Sequence, residues 1–559
     1  MFPFLAWPRP TLDSLRKDAL AGVSVGLVLV PQALAYATVA GMPAETGLYA
    51  ALLPAVVGVL WGSSPLLAVG PVALTSLLTL ASLQPLASPG SAHWVYLAMW
   101  LALYAGAIQF LLGALRMGII ANFVSYPVVA GFINAAALII IVSQLPPLLG
   151  LPAPHDAQWP ARAAAALADS PRLVAETAPF GLAAILLLIV QRRFAPRLPG
   201  VLIVCVIAII ASATIGLAAK GGAVVGPIPG GLPPLTLPPS IPLDEHRALL
   251  PAALIIALLS FTEAMSSCRT LARKRGEPWD QNQELIGQGL AKIASGASGA
   301  FPVSGSFSRS ALNLYVGAET GWSTLFSAAC VLACLLWATP YLYHLPLAAL
   351  AAIIIVPLAG LLDFAVFRRL WRASPDDGAI ALLTFVATIA SVPYLHWGVF
   401  AGFVVSLLAY LYRRSRPRII EVGPHPDGTL RERGHHRLPH VAPDVLAVRM
   451  DAAITYITAP LLERFVNERL HPGVKTVLIA ASPVNDIDAT GIEMLRQLHE
   501  RLLAQGVALK LAGVKKQVHD VLERTGLTRE LGDAAFFATD GAAIETLAAT
   551  SAQSQPATA

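Results

Sequence analysis

Charged residues are scarce in this sequence, and their scarcity excludes most soluble architectures. Only 13% of the 559 residues are Asp, Glu, Lys or Arg, whereas 56% are hydrophobic. Soluble domains typically have about 25% charged residues, because a folded surface needs charge to cover an apolar core. Most of the chain is therefore predicted to lie in a lipid bilayer.

Cysteine is also rare, and the cysteines do not have the spacing of a zinc site or a disulfide framework. They are Cys205, Cys268, Cys330 and Cys334, in or beside apolar segments, and we interpret them as packing residues. No metal ion and no cofactor is predicted. The net charge of +5 does not indicate nucleic-acid binding, because the basic residues flank apolar spans as they do in cytoplasmic loops.

Long apolar windows recur along residues 19–412 and predict about fourteen membrane spans in two sets of seven. Basic residues cluster in alternate loops, which places these loops and both termini on the cytoplasmic side of an inner (plasma) membrane. The clusters include Arg16 and Lys17, Arg192, Arg193 and Arg197, and Arg413, Arg414, Arg416 and Arg418. Prolines such as Pro31 and Pro54 interrupt the spans, so broken helices are expected.

The segment AFPVSGSFSRS, residues 300–310, places Arg309 and four serines between two strongly apolar regions. A charge at membrane depth is costly unless it has a partner or lines a cavity. Extended backbone followed by a helix start near Phe307 would present free N–H groups and a positive dipole end. We predict an anion site that includes Ser308 and Arg309. The alternative is a solvent-exposed loop with a scattered arginine.

The two halves of the chain contain similar span starts. The third span opens with AVGPVALTS, residues 68–76, and the tenth opens with AFPVSGSFS, residues 300–308. Because these spans are seven apart, they enter the membrane from opposite sides, which predicts an inverted repeat with two half-helix N-termini facing each other near the midplane. The alternative is that Gly-Pro is only a helix-start signal.

Three further polar residues lie inside apolar helices. Gln32 and Tyr36 are one turn apart on the first span and can reach a central ligand, or else they join helices by hydrogen bonds. Glu263 is the only acidic residue deep in an apolar helix, so a proton-exchanging role is expected, with a structural ion pair to Arg309 as the alternative. The ninth segment, residues 281–298, is amphipathic and is interpreted as scaffold or cytoplasmic surface without chemistry.

The composition changes after residue 418, which ends the predicted membrane domain, 1–418. Residues 419–440 are polar and rich in proline, glycine and histidine, as in a linker. Within 441–550, strand-like segments alternate with helical ones and predict a small cytoplasmic α/β domain.

Four stretches together resemble the SulP family of anion transporters and permeases: PQALAYATVAGMPAETGLYA, AVGPVALTS, NQELIGQGLAKIASG and FPVSGSFSRSALN. PVNDIDATGIEML, residues 483–495, resembles the STAS domain of that family. The resemblance implies a 7+7 inverted repeat with core and gate domains, elevator-type alternating access and a homodimer. It also implies a substrate site between the third and tenth spans, at Gln32, Tyr36, Val72, Ala73, Ser308 and Arg309, with Glu263 for proton coupling.

The predicted function is secondary active transport of a small anion of the sulfate, C4-dicarboxylate or bicarbonate class, and no enzymatic activity is expected. Sodium-coupled bicarbonate members of the family have aspartate where this chain has Glu263, so proton coupling or exchange is expected instead. A cytoplasmic protein partner is expected at the STAS domain, although Ala489 after Asp488 argues against a phosphorylation switch.

Two other functions compete with this one. A nucleobase permease shares the inverted-repeat architecture, but a neutral base needs no fixed cation such as Arg309. A regulatory protein that acts through its STAS domain, with a membrane anchor, leaves Glu263 and Arg309 unexplained.

Overall fold

A computed structural model describes residues 3–119, 125–151, 171–194, 199–392 and 394–554. The chain forms two compact units, Met1–Leu407 and Leu408–Ala559. Arg197, one of the basic residues predicted to be cytoplasmic, lies outside the described residues.

The first unit is helical, and within its described ranges a helix lies at each of the fourteen predicted span positions. The helices are α1 (Leu12–Val39), α2 (Ala44–Trp61), α3 (Ala73–Leu83), α4 (Ala92–Ala114), α5 (Tyr126–Leu148), α6 (Pro171–Phe194), α7 (Gly200–Ile215), α8 (Leu243–Arg275), α9 (Gln281–Ala297), α10 (Phe307–Val316), α11 (Trp322–Leu342), α12 (Leu347–Ala359), α13 (Pro375–Ala390) and α14 (Leu395–Arg414). A 3-10 turn, Pro3–Ala6, precedes α1, and a short helix, Ala365–Ala373, precedes α13. Eight of the described helices are long and apolar enough to cross a membrane, which confirms a polytopic membrane domain. The exact number of crossings stays a prediction.

The expectation of broken helices is wrong for α1 and α2. Pro31 and Pro54 lie inside continuous helices. Each proline removes one backbone hydrogen bond. Helix α1 packs between α2 and α11, and such packing against neighbouring helices makes a proline inside a membrane helix tolerable. The irregular backbone lies instead before α3 and α10, and a π-helical turn interrupts α11 at Cys334–Ala338.

The segments that precede α3 and α10 pair with each other. Strand β1 (Val69–Gly70) runs antiparallel to β2 (Ser304–Gly305), and the Ser306 amide donates to the Ala68 carbonyl at 2.9 Å. Helices α3 and α10 therefore begin close together, inside the unit.

The two half-helices run toward opposite ends of α1, which is about 42 Å long at 1.5 Å per residue. Beyond the end of α3, the Gly90 amide donates to the carbonyl of Gly41, just after α1 ends. Beyond the end of α10, the amides of Glu319 and Thr320 donate to the Asp18 carboxylate, near the start of α1. This opposite polarity is the geometry that the inverted repeat predicts.

The second unit is a six-stranded sheet with helices, in the strand order β4-β3-β5-β6-β7-β8. Its strands are β3 (Ile419–Pro424), β4 (Leu430–Glu432), β5 (Val445–Met450), β6 (Thr476–Ala480), β7 (Ala508–Ala512) and β8 (Phe536–Phe537). Its helices are the short Arg433–His436 and then α15 (Ala459–Arg469), α16 (Ala489–Ala504), α17 (Lys516–Arg524), α18 (Leu527–Leu531) and α19 (Asp540–Ser554). Strands β5 to β8 are parallel, as the alternating pattern predicts, and Asp488 caps α16 by accepting from the Gly491 amide at 2.8 Å.

The interpretation of residues 419–440 as a linker is wrong. Strand β3 pairs antiparallel with both β4 and β5, so this segment extends the sheet. Its apolar side chains are few, but Ile420, Val422 and Leu430 are buried against the domain. The tertiary contact, rather than local composition, makes the segment a strand.

Candidate functional site

The candidate site lies where α3 and α10 begin. Val72 precedes α3 and is 4% exposed, and no described side chain caps that helix start. Ser306 precedes α10, and its hydroxyl accepts a 3.4 Å hydrogen bond from the Arg309 amide. The first turn of a helix has backbone N–H groups without partners inside the helix, and these bind anions. Two such starts converge here.

Arg309 supplies a cation between these helix starts. Its side chain is 2% exposed, and within the described ranges Nε and Nη2 have no hydrogen-bond partner. Gly70 leaves room for the guanidinium, because a Cβ at position 70 would lie 3.2 Å from Nη2. A buried guanidinium with two unused donors is ready to bind an anion.

Glu263 lies near this cation without bonding to it. Its carboxylate interacts electrostatically with Arg309 and Lys292, and with the hydroxyl of Ser304. In the part of the chain that is described, Oε2 has no hydrogen-bond partner and no direct ion pair joins Glu263 to Arg309. The structure therefore does not contain the direct Glu263–Arg309 ion pair, which is the alternative to a proton-exchanging role for Glu263.

The face of α1 that carries Gln32 and Tyr36 turns toward the same place. Leu29 Cδ1 lies 3.8 Å from the position of a Cβ on Gly70, and Leu29, Gln32 and Tyr36 share one helical face by their spacing of three and then four residues. Tyr36 interacts electrostatically with both Arg309 and Glu263. The Gln32 Oε1 is buried and has no partner among the described residues.

Ser308 differs from the neighbouring Arg309 in its exposure. It is exposed on the first turn of α10, with its hydroxyl 3.4 Å from that of Ser306. Ala73, on the first turn of α3, is half-buried. The structure thus places all seven predicted site residues on the segments that meet at the two helix starts.

Sequence reasoning missed a second buried cation, Lys292. Helix α9 packs against α2 and α4, and Lys292 is 0% exposed, so the interpretation of this segment as surface is wrong. Lys292 Nζ donates to Gln109 Oε1 at 2.9 Å, and Gln109 Nε2 donates to the Ala257 carbonyl at 2.6 Å and to Ser260 Oγ at 3.1 Å. The available signal was a lysine among the small residues that let α9 pack closely.

The neighbouring Glu284 on α9 has a structural role. Its Oε2 accepts from the amides of Ser63 and Ser64 at 2.9 and 3.0 Å, and its Oε1 accepts from Gln288 at 3.1 Å. These bonds hold the backbone between α2 and β1. Because its oxygens already have donors, Glu284 is not a candidate for substrate chemistry.

A basic cleft of about 460 Å³ in the second unit differs from this site. It is lined by Arg418, Arg431, Glu432, His435, His436 and Arg449. Each of its arginines already forms an ion pair, namely Arg418 with Glu432, Arg431 with Asp427 and Arg449 with Asp451. Its charge is thus largely neutralised, whereas that of Arg309 is not.

Comparison with known proteins identifies the family of this chain. Residues 15–384 match the sulfate permease family, and residues 438–543 match the STAS domain. A probable sulfate transporter of Mycobacterium tuberculosis is 33% identical over 538 residues, 95% of each chain. The chloroplastic sulfate transporter 4.1 of Arabidopsis thaliana is 32% identical over 96% of this chain and 81% of its own.

Solved structures show the same fold. The inward-facing structure of the murine Solute Carrier 26 family member A9 anion transporter aligns with a TM-score of 0.86 at 22% identity, over 98% of this chain and 94% of that one. The transmembrane domain of the cyanobacterial bicarbonate transporter BicA aligns with a TM-score of 0.58 at 24% identity, over 71% of this chain and 98% of that one. These relatives are transporters rather than enzymes, and the chain belongs to the sulfate permease family of anion transporters, with a C-terminal STAS domain.

Proposed function

We propose that this protein is a secondary active transporter of small inorganic or carboxylate anions, with sulfate and C4-dicarboxylates as the main substrates. One observation carries the proposal. Arg309 is buried at the start of α10, directly beside β1 and the start of α3, and its Nε and Nη2 donors have no partner in the described part of the chain. Arginine binds carboxylate and sulfate-like groups through two parallel hydrogen bonds, which these donors can supply.

The groups around Arg309 supply further hydrogen-bond donors for an anion. The backbone N–H groups of Ala73 and Ser308 lie in the first turns of α3 and α10, where a helix offers them no internal acceptor. The Ser308 hydroxyl adds a side-chain donor. Gln32 and Tyr36 contribute an amide and a phenol from α1. Fixed donors of this kind replace the hydration shell of an anion without reorganising when it arrives.

Glu263 is the proposed site of proton coupling. When an anion occupies Arg309, it competes for the positive charge that holds Glu263 in its ionised form, so binding of the anion favours uptake of a proton. By linkage, protonation of Glu263 favours binding of the anion by the same factor. In symport, the proton and the anion then cross the membrane together. In exchange, one anion replaces another without net movement of the proton.

Movement of the site across the membrane is proposed to be of the elevator type. The β1–β2 pairing joins the starts of α3 and α10, and α1 and α8 pack against both half-helices. These elements can move as one core domain against a gate domain. We further propose a homodimer in the plasma membrane, with cytoplasmic termini and a STAS domain that binds a cytoplasmic partner.

Uptake by reconstituted vesicles tests the proposed function. The purified full chain is tested with labelled sulfate, fumarate and bicarbonate, and with uracil as the neutral comparison. Saturable uptake of at least one anion and none of uracil is expected. Arg464→Ala is the matched control for Arg309→Ala, because Arg464 pairs with Glu468 on the surface of the STAS domain. Uptake of uracil alone, or anion uptake that is independent of Arg309, contradicts the proposal.

A further inference from the structure

We propose that the short helix Ala365–Ala373, which connects α12 to α13, binds the headgroup of an anionic phospholipid in the leaflet where it lies. The observation behind the proposal is a helix between two membrane helices that exposes aromatic side chains on one edge and unpaired arginines on the next. The residues of this lipid surface are Arg192, Phe364, Arg368, Trp371 and Arg372. The proposal goes beyond the proposed function and does not depend on which anion is transported.

One face of the short helix packs against two helices of the membrane unit. Val366 and Leu370, which are one turn apart, are buried in a cluster with Ala130 of α5 and Ala381 of α13. Phe367 is partly buried against the same cluster. The apolar face thus fixes the short helix to the first turns of α5 and α13.

The two ends of the short helix lie at different depths along α13. Phe364, at its beginning, contacts the ring of Phe385 with the centroids 6.3 Å apart. Trp371, in its last turn, packs on Gly378, where an added Cβ would lie 2.7 Å from the ring atom Cε3. Gly378 and Phe385 are seven residues apart, or about 10 Å along the axis of α13. The short helix therefore slopes from the predicted hydrocarbon layer toward the headgroups.

The aromatic edge of the short helix is open to its surroundings. Phe364 and Trp371 are 53% and 52% exposed, and their spacing of seven residues places them on one side of the helix. Tryptophan and phenylalanine next to arginine are typical of helices that lie in a membrane interface. This edge is therefore suited to contact lipid chains and their glycerol region.

The neighbouring edge carries arginines without partners. Arg368 and Arg372 are one turn apart, and both are exposed. In the described ranges neither of them has a hydrogen bond or an ion pair, whereas Arg369 pairs with Asp363. A guanidinium binds a phosphate group through two parallel hydrogen bonds, and Arg368 and Arg372 have all their donors available for it.

Arg192 adds a third cation from the end of α6. A Cβ on Gly360, the residue after α12, would lie 3.3 Å from Arg192 Nη1. The acidic residues that follow the short helix, Asp376 and Asp377, lie in the first turn of α13, where the helix dipole stabilises negative charge. The cations are thus left to an external anion, and the phosphodiester of a lipid is the anion present at this depth.

A basic surface that is only solvated predicts something different. Arginines beside a membrane helix can serve solely to orient the chain, and positive charge alone is then sufficient. Such a surface does not distinguish an anionic lipid from a zwitterionic one with the same acyl chains.

The test compares phosphatidylglycerol with phosphatidylcholine of the same acyl chains. Apparent dissociation constants for the purified full chain are measured by native mass spectrometry. The wild type is expected to bind phosphatidylglycerol about 30-fold more tightly, since each of two arginines near an anionic headgroup contributes about fivefold. Arg368→Gln combined with Arg372→Gln should reduce this ratio to within about threefold.

The matched control combines Arg464→Gln with Arg524→Gln, which changes the net charge equally on the surface of the STAS domain and should keep the preference. Trp371→Ala should weaken both lipids by a similar factor, because it removes apolar contact and no charge. The single variants Arg368→Gln and Arg372→Gln cover the case that the double variant does not insert, and each should lower the preference about fivefold.

Three results would overturn the lipid site. They are equal binding of the two lipids by the wild type, an unchanged preference in the arginine variants, and displacement of phosphatidylglycerol by soluble glycerol phosphate at similar concentrations. Sulfate binding by the double variant should stay within about twofold of the wild type, because no residue of the anion site is changed. Failure of the lipid site therefore leaves the proposed function in place.

Discussion

The starts of α3 and α10 have the same backbone geometry and different chemistry. Both follow a short strand of one antiparallel pair, and both begin inside the membrane unit. The start of α3 has Val72 and Ala73, without a charged side chain, whereas the start of α10 has Ser306, Ser308 and Arg309. The repeat thus duplicates the backbone donors and adds the cation only once.

This asymmetry separates two contributions to anion binding. Backbone N–H groups of both halves can bind any small anion, but the strength and position of the fixed charge depend on α10. Changes on the α10 side are therefore expected to alter affinity strongly, and changes on the α3 side are expected to act mainly by displacing Arg309.

The largest effect is expected from Arg309→Ala, which removes the guanidinium at the start of α10 and leaves the backbone donors of both helix starts in place. Sulfate affinity should fall by more than about 100-fold, since the two charge-assisted hydrogen bonds lost contribute about 1.5–3 kcal/mol each. Equilibrium binding of labelled sulfate to the purified chain measures this, with Arg464→Ala as control. An affinity within about twofold of wild type rules out the assigned anion site.

Glu263→Gln tests coupling separately from binding. The amide resembles the protonated carboxyl in shape and charge, so anion binding and exchange should persist, while acceleration of uptake by an inward proton gradient should disappear. Uptake into vesicles with and without a pH gradient gives the comparison. If the variant keeps full gradient-driven accumulation, coupling resides elsewhere and Glu263 is a structural residue.

Gly70→Ala probes the α3 side of the comparison. The added Cβ would lie 3.2 Å from Arg309 Nη2, so the guanidinium must shift by a few tenths of an ångström. A displaced but intact cation is expected to weaken sulfate binding about three- to tenfold, less than its removal. Gly434→Ala is the control, because nothing lies within 4 Å of a Cβ there. A loss as large as that of Arg309→Ala would show that β1 itself forms the site.

The smallest effect is expected from truncation after Arg418, which removes the STAS sheet and keeps α14. Every proposed site residue lies before this point, so equilibrium binding of sulfate should stay within about twofold of the full chain. Transport can still fall if the STAS domain sets dimer packing. Loss of binding in a folded truncate would show that the two units share the site.

Part of the candidate site was predictable from the sequence because charge is conspicuous in an apolar background. Arg309 and Glu263 stand out for that reason, and the paired span starts follow from their similar residues. Lys292 was missed because α9 also contains Gln, Glu and Asn, which made its polarity resemble a surface helix. Its burial depends on packing with α2 and α4, which no local pattern reveals.

The other differences between the sequence predictions and the structure also arise from tertiary packing. Pro31 and Pro54 have a local cost that the neighbouring helices offset, so α1 and α2 continue through them. The strand Ile419–Pro424 follows a basic run and precedes a turn, and only its pairing with β5 makes it part of the sheet.

Protection of introduced cysteines by sulfate tests most directly whether the anion lies between the two helix starts. Ser308→Cys and Ala73→Cys are made in a Cys330→Ala background, because the other native cysteines are buried. Ser88→Cys, in an exposed loop, is the control. The rate of labelling by a thiol reagent should fall with sulfate at both helix starts and stay constant at Ser88→Cys. Protection at neither start, or equal protection at all three positions, would contradict an anion site formed jointly by α3 and α10.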